Sequence, residues 1–103
     1  MKLENDTTKE KQQLKSSTVP LGRLFATPGV LASIPLEEYS TAIRRHRICD
    51  WGEACEEDWE SNNKAMIHGS RVFSVYTSTA GVRFWIITEA DRSATTVLLP
   101  NEY

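Results

Sequence analysis

Two polar segments hold the residue types that could carry chemistry. The first places His46 four residues before Asp50, with Trp51 next to it and Asp58 further along. Imidazole suits Zn²⁺, carboxylate oxygens suit Mg²⁺ or Mn²⁺, and a histidine beside a carboxylate can exchange protons as an acid–base pair. We therefore count His46, Asp50 and Asp58 as candidate metal or acid–base residues. Trp51, an aromatic residue beside them, is a candidate for contact with a partner.

The second segment is the run Thr88–Ser93, which contains Glu89, Asp91 and Arg92. A mixed helix–sheet domain places such polar runs in loops at the ends of its elements. If both segments met at one end of a sheet, their side chains would form a metal site of the kind that hydrolases and nucleases use. Its ligands would be His46, Asp50, Asp58, Glu89 and Asp91.

A structural role explains the same residues more simply. Asp50 would cap a helix that begins near Glu53, and Asp91 would fold a turn between two strands. His46, close to a helix C-terminus, would be a surface residue favoured by the helix dipole. Both interpretations stay open at this stage.

Several function classes are excluded by missing motifs. The chain has no G-x-S-x-G nucleophile elbow, no Walker loop and no G-x-G-x-x-G, so no cofactor is implied. Twelve basic and fourteen acidic residues give a net charge of −2. Nucleic-acid-binding domains are typically basic, so nucleic acid is not the expected ligand. We lean towards a protein that is not an enzyme.

The 103 residues are enough for one small domain. Residues 1–18 are rich in Lys, Glu, Gln, Thr and Ser, a composition that predicts a disordered tail. The folded domain is then 19–103. No apolar run is long enough to span a membrane, and the two cysteines form no C-x-x-C pair. We therefore expect a cytoplasmic protein.

The fold predicted for this domain is α+β, with a small antiparallel sheet of three to four strands packed against two or three helices. Thr27 and Pro28 have the types expected at a helix start, and Ser78–Gly81 forms a hairpin loop. Strand order and oligomeric state cannot be read from the pattern, although an exposed edge at the last strand would permit dimerisation. The predicted helices are Leu36–Arg47 and Glu53–Ile67, and the predicted strands are Leu21–Ala26, Arg71–Thr77, Val82–Thr88 and Thr95–Leu99.

Over residues 21–103 the chain resembles a family of small uncharacterised bacterial proteins carried by plasmids and mobile elements. The matching stretches include LGRLFATPGVL, the H-x-x-x-DWG of His46–Gly52, and WIITEADRSATTVLLPNEY at Trp85–Tyr103. Family members often carry the label "type I restriction endonuclease subunit M". This chain is too short for a methyltransferase sheet and lacks its glycine-rich loop. The resemblance therefore implies a genomic setting and not an activity.

These observations predict an accessory protein of a mobile element that binds another macromolecule, most simply a protein. The residues expected to contact the partner are Asp50, Trp51, Glu89, Asp91 and Arg92. Replacing Asp91 and Arg92 by alanine would then remove the partner and leave the fold intact. The alternatives are the small metal-dependent hydrolase or nuclease, and an anti-restriction factor that uses the acidic stretch Glu53–Glu60.

Overall fold

The computed structural model describes residues 17–103, so most of the predicted tail lies outside the described residues. An α+β architecture is confirmed, with three helices and a four-stranded sheet. A single-turn 3₁₀ helix, Pro100–Glu102, follows the last strand. The elements run in the order β1 (Arg23–Ala26), α1 (Pro28–Ser33), α2 (Leu36–Arg47), α3 (Glu56–His68), β2 (Val72–Thr77), β3 (Arg83–Thr88) and β4 (Ala94–Leu98).

The first two helices begin where the sequence predicts. The Thr27 hydroxyl accepts a hydrogen bond from the Val30 amide at 3.4 Å, and Pro28 occupies the first helical position. Proline has no N–H, and the first helical position needs none, because its N–H would have no acceptor within the helix. The threonine cap and the proline therefore both favour a helix start here. Pro35 ends the connection between the helices, and α2 has the predicted bounds.

The third helix begins at Glu56, three residues later than predicted. The reason is that the preceding backbone pairs with the edge of β2. The Glu53 amide donates to the Val75 carbonyl at 2.7 Å, and the Val75 amide donates to the Trp51 carbonyl at 3.2 Å. These groups are therefore engaged with a strand. The helix ends as predicted before Gly69, which has φ of 78°.

The sheet order is β1-β4-β3-β2. Three of the strands are antiparallel as predicted, but β1 pairs parallel to β4, so the sheet is mixed. The idea that the last strand forms an exposed edge is wrong, because β4 lies between β1 and β3. Parallel neighbours require a long connection, and here α1, α2 and α3 and two strands lie between them in the chain.

One face of the sheet carries the helices and the hydrophobic core. Strand alternation directs Tyr76, Ile86 and Val97 to this face, where they meet Val30 and Ile34 of the first helix and its C-cap. A second apolar cluster forms around the fully buried Trp51, and it contains Val19, Cys49, Ala65 and Val72. Val19 is 1% exposed within this second cluster.

Gly52 lies where the loop before α3 pairs with β2, and it tests how tight this pairing is. Its φ is 66°, and a Cβ there would lie 2.2 Å from the Val75 carbonyl oxygen. We expect Gly52→Ala to lower the free energy of unfolding by about 3 kcal/mol, because strain and a steric clash add together. Urea denaturation measures the effect.

Gly81→Ala is the matched control. Gly81 has a similar φ of 85°, but a Cβ at this position would meet no heavy atom within 4 Å. It should cost only about 1 kcal/mol, the backbone strain alone. Equal losses in the two variants would show that the contact with Val75 is unimportant.

Candidate functional site

His46 is wholly buried at the end of α2 and joins a chain of hydrogen bonds across the sheet. Its Nδ1 lies 2.5 Å from the Ser74 hydroxyl, and its Nε2 lies 2.8 Å from the Thr88 hydroxyl. Thr88 contacts the Thr95 hydroxyl at 2.7 Å, and Thr95 donates to the Leu21 carbonyl at 2.7 Å. This buried polar network links α2 to β2, β3 and β4 and to the chain before β1.

The hydrogen bonds of the buried polar network have a single consistent direction. Thr95 donates its only hydroxyl proton to the Leu21 carbonyl, so Thr88 must donate to Thr95. Thr88 can then only accept from Nε2–H of His46, which leaves Nδ1 to accept from Ser74. The imidazole is therefore neutral and protonated on Nε2.

The surroundings of the imidazole disfavour its charged form. Burial, followed by the positive charge of Arg92, lowers the pKa of His46 from 6.5 to about 3. The edge of the Trp51 ring lies against it, with the ring centroids 5.5 Å apart. His46 is thus a core residue and not the surface residue that its position near a helix end suggested.

A serine that donates to a histidine has the chemistry of an activated nucleophile. In this protein, however, the Ser74 and His46 side chains are both completely buried. A substrate would have to open the core to reach the Ser74 oxygen. The arrangement is therefore suited to stability and not to catalysis.

The sequence predicts that Asp50 and Trp51 contact a partner. In the structure, both make extensive contacts within the chain. Asp50 pairs with Arg45 at 2.8 Å and accepts from the Gly52 amide, and the Arg45 hydrogen bond lowers the pKa of the Asp50 carboxyl. Trp51 is fully buried, and its indole N–H donates to the Asn63 side chain at 3.0 Å. Trp51 therefore has no surface available to a partner in this conformation.

The second predicted segment forms the turn between β3 and β4. Glu89 and Asp91 are exposed, and the Asp91 carboxylate accepts from the Ser93 amide within the turn. The Arg92 guanidinium instead reaches the end of α3 and donates to the carbonyls of Ala65 at 3.1 Å and Ser70 at 2.6 Å. Arg92 therefore joins the turn to the helix, and the binding role of the five residues stays a prediction.

The five candidate metal ligands are not brought together. His46 is enclosed by hydroxyl groups, and Asp50 lies beside Tyr76 near one end of β2. Glu89 and Asp91 follow Thr88, which pairs with Val72 at the other end of β2. Among residues 17–103, no group of three or more His, Cys, Asp or Glu side chains could hold a metal ion.

The opposite face of the sheet carries a groove of about 360 Å³, which we call the aromatic groove. The Trp85 ring packs edge-to-face against Phe73 and Tyr103, with centroid distances of 5.1 and 5.7 Å. Arg71 donates to the Tyr103 hydroxyl at 2.7 Å. The groove is lined by Asp58, Ser61, Asn62, Arg71, Phe73, Trp85, Ile87 and Tyr103.

Sequence patterns do not reveal this groove, because a tryptophan within an apolar run is most simply a core residue. The alternation of the strands nevertheless contains a signal. Phe73 and Trp85 lie one residue away from the core residues Ser74 and Ile86, so both rings belong to the face without helices. Only the packing of α3 beside β2 could show that Asp58 joins them.

Comparison with protein families, curated proteins and solved structures finds no match for this chain. None of the helices in the described part of the chain has the length and apolar character needed to cross a membrane.

The low pKa of His46 predicts that stability depends on pH. Well above pH 6.5 the imidazole is neutral in both states, whereas between pH 6.5 and about 3 the unfolded chain takes up the proton and the folded protein does not. We expect the free energy of unfolding to fall by about 2–3 kcal/mol between pH 7 and 4.5. Urea denaturation across this range measures the loss.

His68→Gln, which removes an exposed imidazole at the end of α3, is the matched control. His46→Gln should reduce stability at pH 7 and flatten the slope. The wild-type imidazole also reports directly through its ¹⁵N shifts, which should show the neutral Nε2–H form down to pH 4.5. Titration of His46 near pH 6.5 would contradict the assignment.

Arg92 is expected to stabilise the fold. Arg92→Ala removes the hydrogen bonds to α3 and should cost about 2 kcal/mol, so a variant at this position is not neutral. Because Arg92 has φ of 61°, Arg92→Gly should be about 1 kcal/mol more stable than Arg92→Ala. Asp91→Ala serves as a control with a small effect. An Arg92→Ala protein as stable as wild type would refute this role.

Proposed function

We propose that the protein is a non-enzymatic binding module that recognises another protein through the aromatic groove. The observation that carries this proposal is the exposure of an arginine beside packed aromatic rings on the sheet face without helices. Arginine, tyrosine and tryptophan are the residue types that contribute most to protein–protein binding. Here they line one depression.

The groove is held in shape before any partner arrives. Trp85 is supported by Phe73 on one side and by Tyr103 on the other. Arg71 donates to the Tyr103 hydroxyl and lies 5.6 Å from the centre of its ring. Side chains that are already ordered lose little conformational entropy on binding, which favours affinity.

The charges of the groove favour a protein over a nucleic acid. Asp58 and Arg71 both line it, so the groove presents charges of both signs. A phosphate backbone is bound by clusters of positive charge, and a carboxylate opposes it. A protein surface can supply complementary groups for both signs.

The cellular compartment and the genomic origin of the protein are part of the same proposal. We place the protein in the cytoplasm as an accessory of a bacterial mobile element, supported by the family resemblance and by the free cysteines Cys49 and Cys55. The hydrolase or nuclease alternative lacks a set of metal ligands within residues 17–103. The anti-restriction alternative rests only on the acidic first turn of α3.

Capture from a host lysate tests the proposal. The variant Arg71→Ala/Tyr103→Ala should reduce enrichment of the partner at least about tenfold, because hot-spot residues each contribute about 2 kcal/mol or more. Both side chains are exposed, so the fold should tolerate their loss. Arg44→Ala, an exposed arginine on α2, is the matched control and should capture the partner as wild type does.

Two further capture experiments identify the chemical class of the partner and the surface that binds it. Capture should survive nuclease treatment, since the proposed ligand is a protein. Asp91→Ala tests the surface predicted from sequence and should leave capture unchanged if the aromatic groove is the site. Partner enrichment that is lost with Asp91→Ala and kept with Arg71→Ala/Tyr103→Ala would overturn the proposal.

A further inference from the structure

The two edges of the sheet are treated differently by the rest of the chain. At the β2 edge, the Asn62 side chain accepts from the Phe73 amide at 3.0 Å and donates to its carbonyl at 2.6 Å. The next outward-facing residue, Val75, exchanges hydrogen bonds with Trp51 and Glu53. This edge is therefore closed to another strand.

The edge at β1 is open. Arg23 and Thr27 donate to carbonyls of the β4 side, at 3.0 Å each, so the alternation of a strand directs the N–H and C=O of Leu24 and Ala26 outwards. Within residues 17–103, no hydrogen bond engages these four outward polar groups. α1, which follows β1 in the chain, packs against β4.

The side chains of this edge are also unusual. Leu24 is 54% exposed and Phe25 is 50% exposed, and they point to opposite faces. Natural proteins usually protect an edge strand with charges, a proline or a bulge, because an unprotected edge pairs readily with another strand. Arg23 is the single charged residue in β1.

We propose that the protein forms a symmetric dimer in which the open edge of β1 pairs antiparallel with β1 of a second copy. The result is one continuous eight-stranded sheet. Most of the aromatic groove lies at β2 and β3, which β4 separates from this edge.

The outward groups favour one register. Leu24 of each copy pairs with Ala26 of the other, which satisfies all four outward groups of each copy with four hydrogen bonds in total. Phe25 then lies on the two-fold axis opposite Phe25 of the second copy, in a pair without mutual hydrogen bonds. Such pairs have Cα atoms about 4.5 Å apart, close enough for the exposed rings to pack.

Charge complementarity supports an antiparallel pairing with a second copy. Glu102 lies at the C-terminal end of β1, where its carboxylate accepts from the Thr27 hydroxyl at 2.5 Å and the Gly29 amide at 3.0 Å. Arg23 lies at the other end of the strand and makes no ion pair within the described part of the chain. A two-fold axis at Phe25 brings each Arg23 opposite Thr27 of the other copy, and therefore close to its Glu102.

The mass of the full-length protein in solution tests the dimer. Light scattering and sedimentation over a range of concentrations should show a monomer–dimer equilibrium. Arg23→Glu places like charges together and should weaken dimerisation by about tenfold or more, whereas Arg23→Lys keeps the positive charge and should retain most of the affinity. Leu24→Pro removes an outward N–H that β4 does not use, so it should give a folded monomer.

Disulfide cross-linking tests the register. In a Cys55→Ser background, Phe25→Cys should oxidise to a covalent dimer, because the two thiols face each other across the axis. Leu24→Cys is the matched control and should not cross-link, since Leu24 faces Ala26 of the second copy. Both positions are half exposed in the single chain.

Three results would overturn the proposal. The first is a wild-type protein that stays monomeric at all concentrations. This includes a monomer whose β1 edge binds an added peptide instead of a second copy. The second is a dimer that Arg23→Glu and Leu24→Pro leave unchanged. The third is equal cross-linking of Phe25→Cys and Leu24→Cys, which would place the contact elsewhere.

Discussion

The hydrogen bonds of His46 join the helical layer to the sheet at the centre of the molecule. The imidazole reaches Ser74 on β2 and Thr88 on β3, and Thr88 extends the connection through Thr95 to the carbonyl of Leu21. Each buried polar side-chain atom of the described residues has a partner, which is the condition under which a polar network in a core is tolerated. A single neutral tautomer satisfies the whole chain of donors and acceptors.

Two apolar clusters pack in the same core as this network, and the His46 ring contacts Trp51 of the second one. The cluster of α1 and α2 lies towards Tyr76 and Phe84, whereas the cluster around Trp51 lies towards Val72 and α3. A hydrophobic contact has no preferred direction, but a histidine with two hydrogen-bond partners does. We infer that His46 selects one orientation of α2 over the strands.

The same chain protects one sheet edge and exposes the other. The backbone of Trp51–Glu53 and the Asn62 side chain occupy the outward hydrogen-bonding groups of β2. The pairing of Trp51–Glu53 also delays the start of α3. Among the described residues, β1 has no such cover. The two proposed interaction sites follow from this asymmetry, since one uses the free edge and the other the sheet face that the helices leave uncovered.

Local chemistry was enough to predict most of the elements. Thr27 and Pro28 specify the start of α1, Gly69 ends α3, and the β-branched runs identify the strands, because each of these signals acts within a few residues. The α+β class followed from the change of period along the chain. Sequence patterns could not predict the parallel pairing of β1, since that pairing joins segments at opposite ends of the domain.

The candidate residues show the same division. The sequence by itself marked His46, Trp51 and Arg92 as noteworthy, but a residue type carries several possible roles. Tertiary structure decided that Trp51 is core, that Arg92 holds the end of α3, and that His46 is neutral within a network. Burial and hydrogen-bond partners come from segments far apart in the chain, and these contacts choose among the roles that each side chain can play.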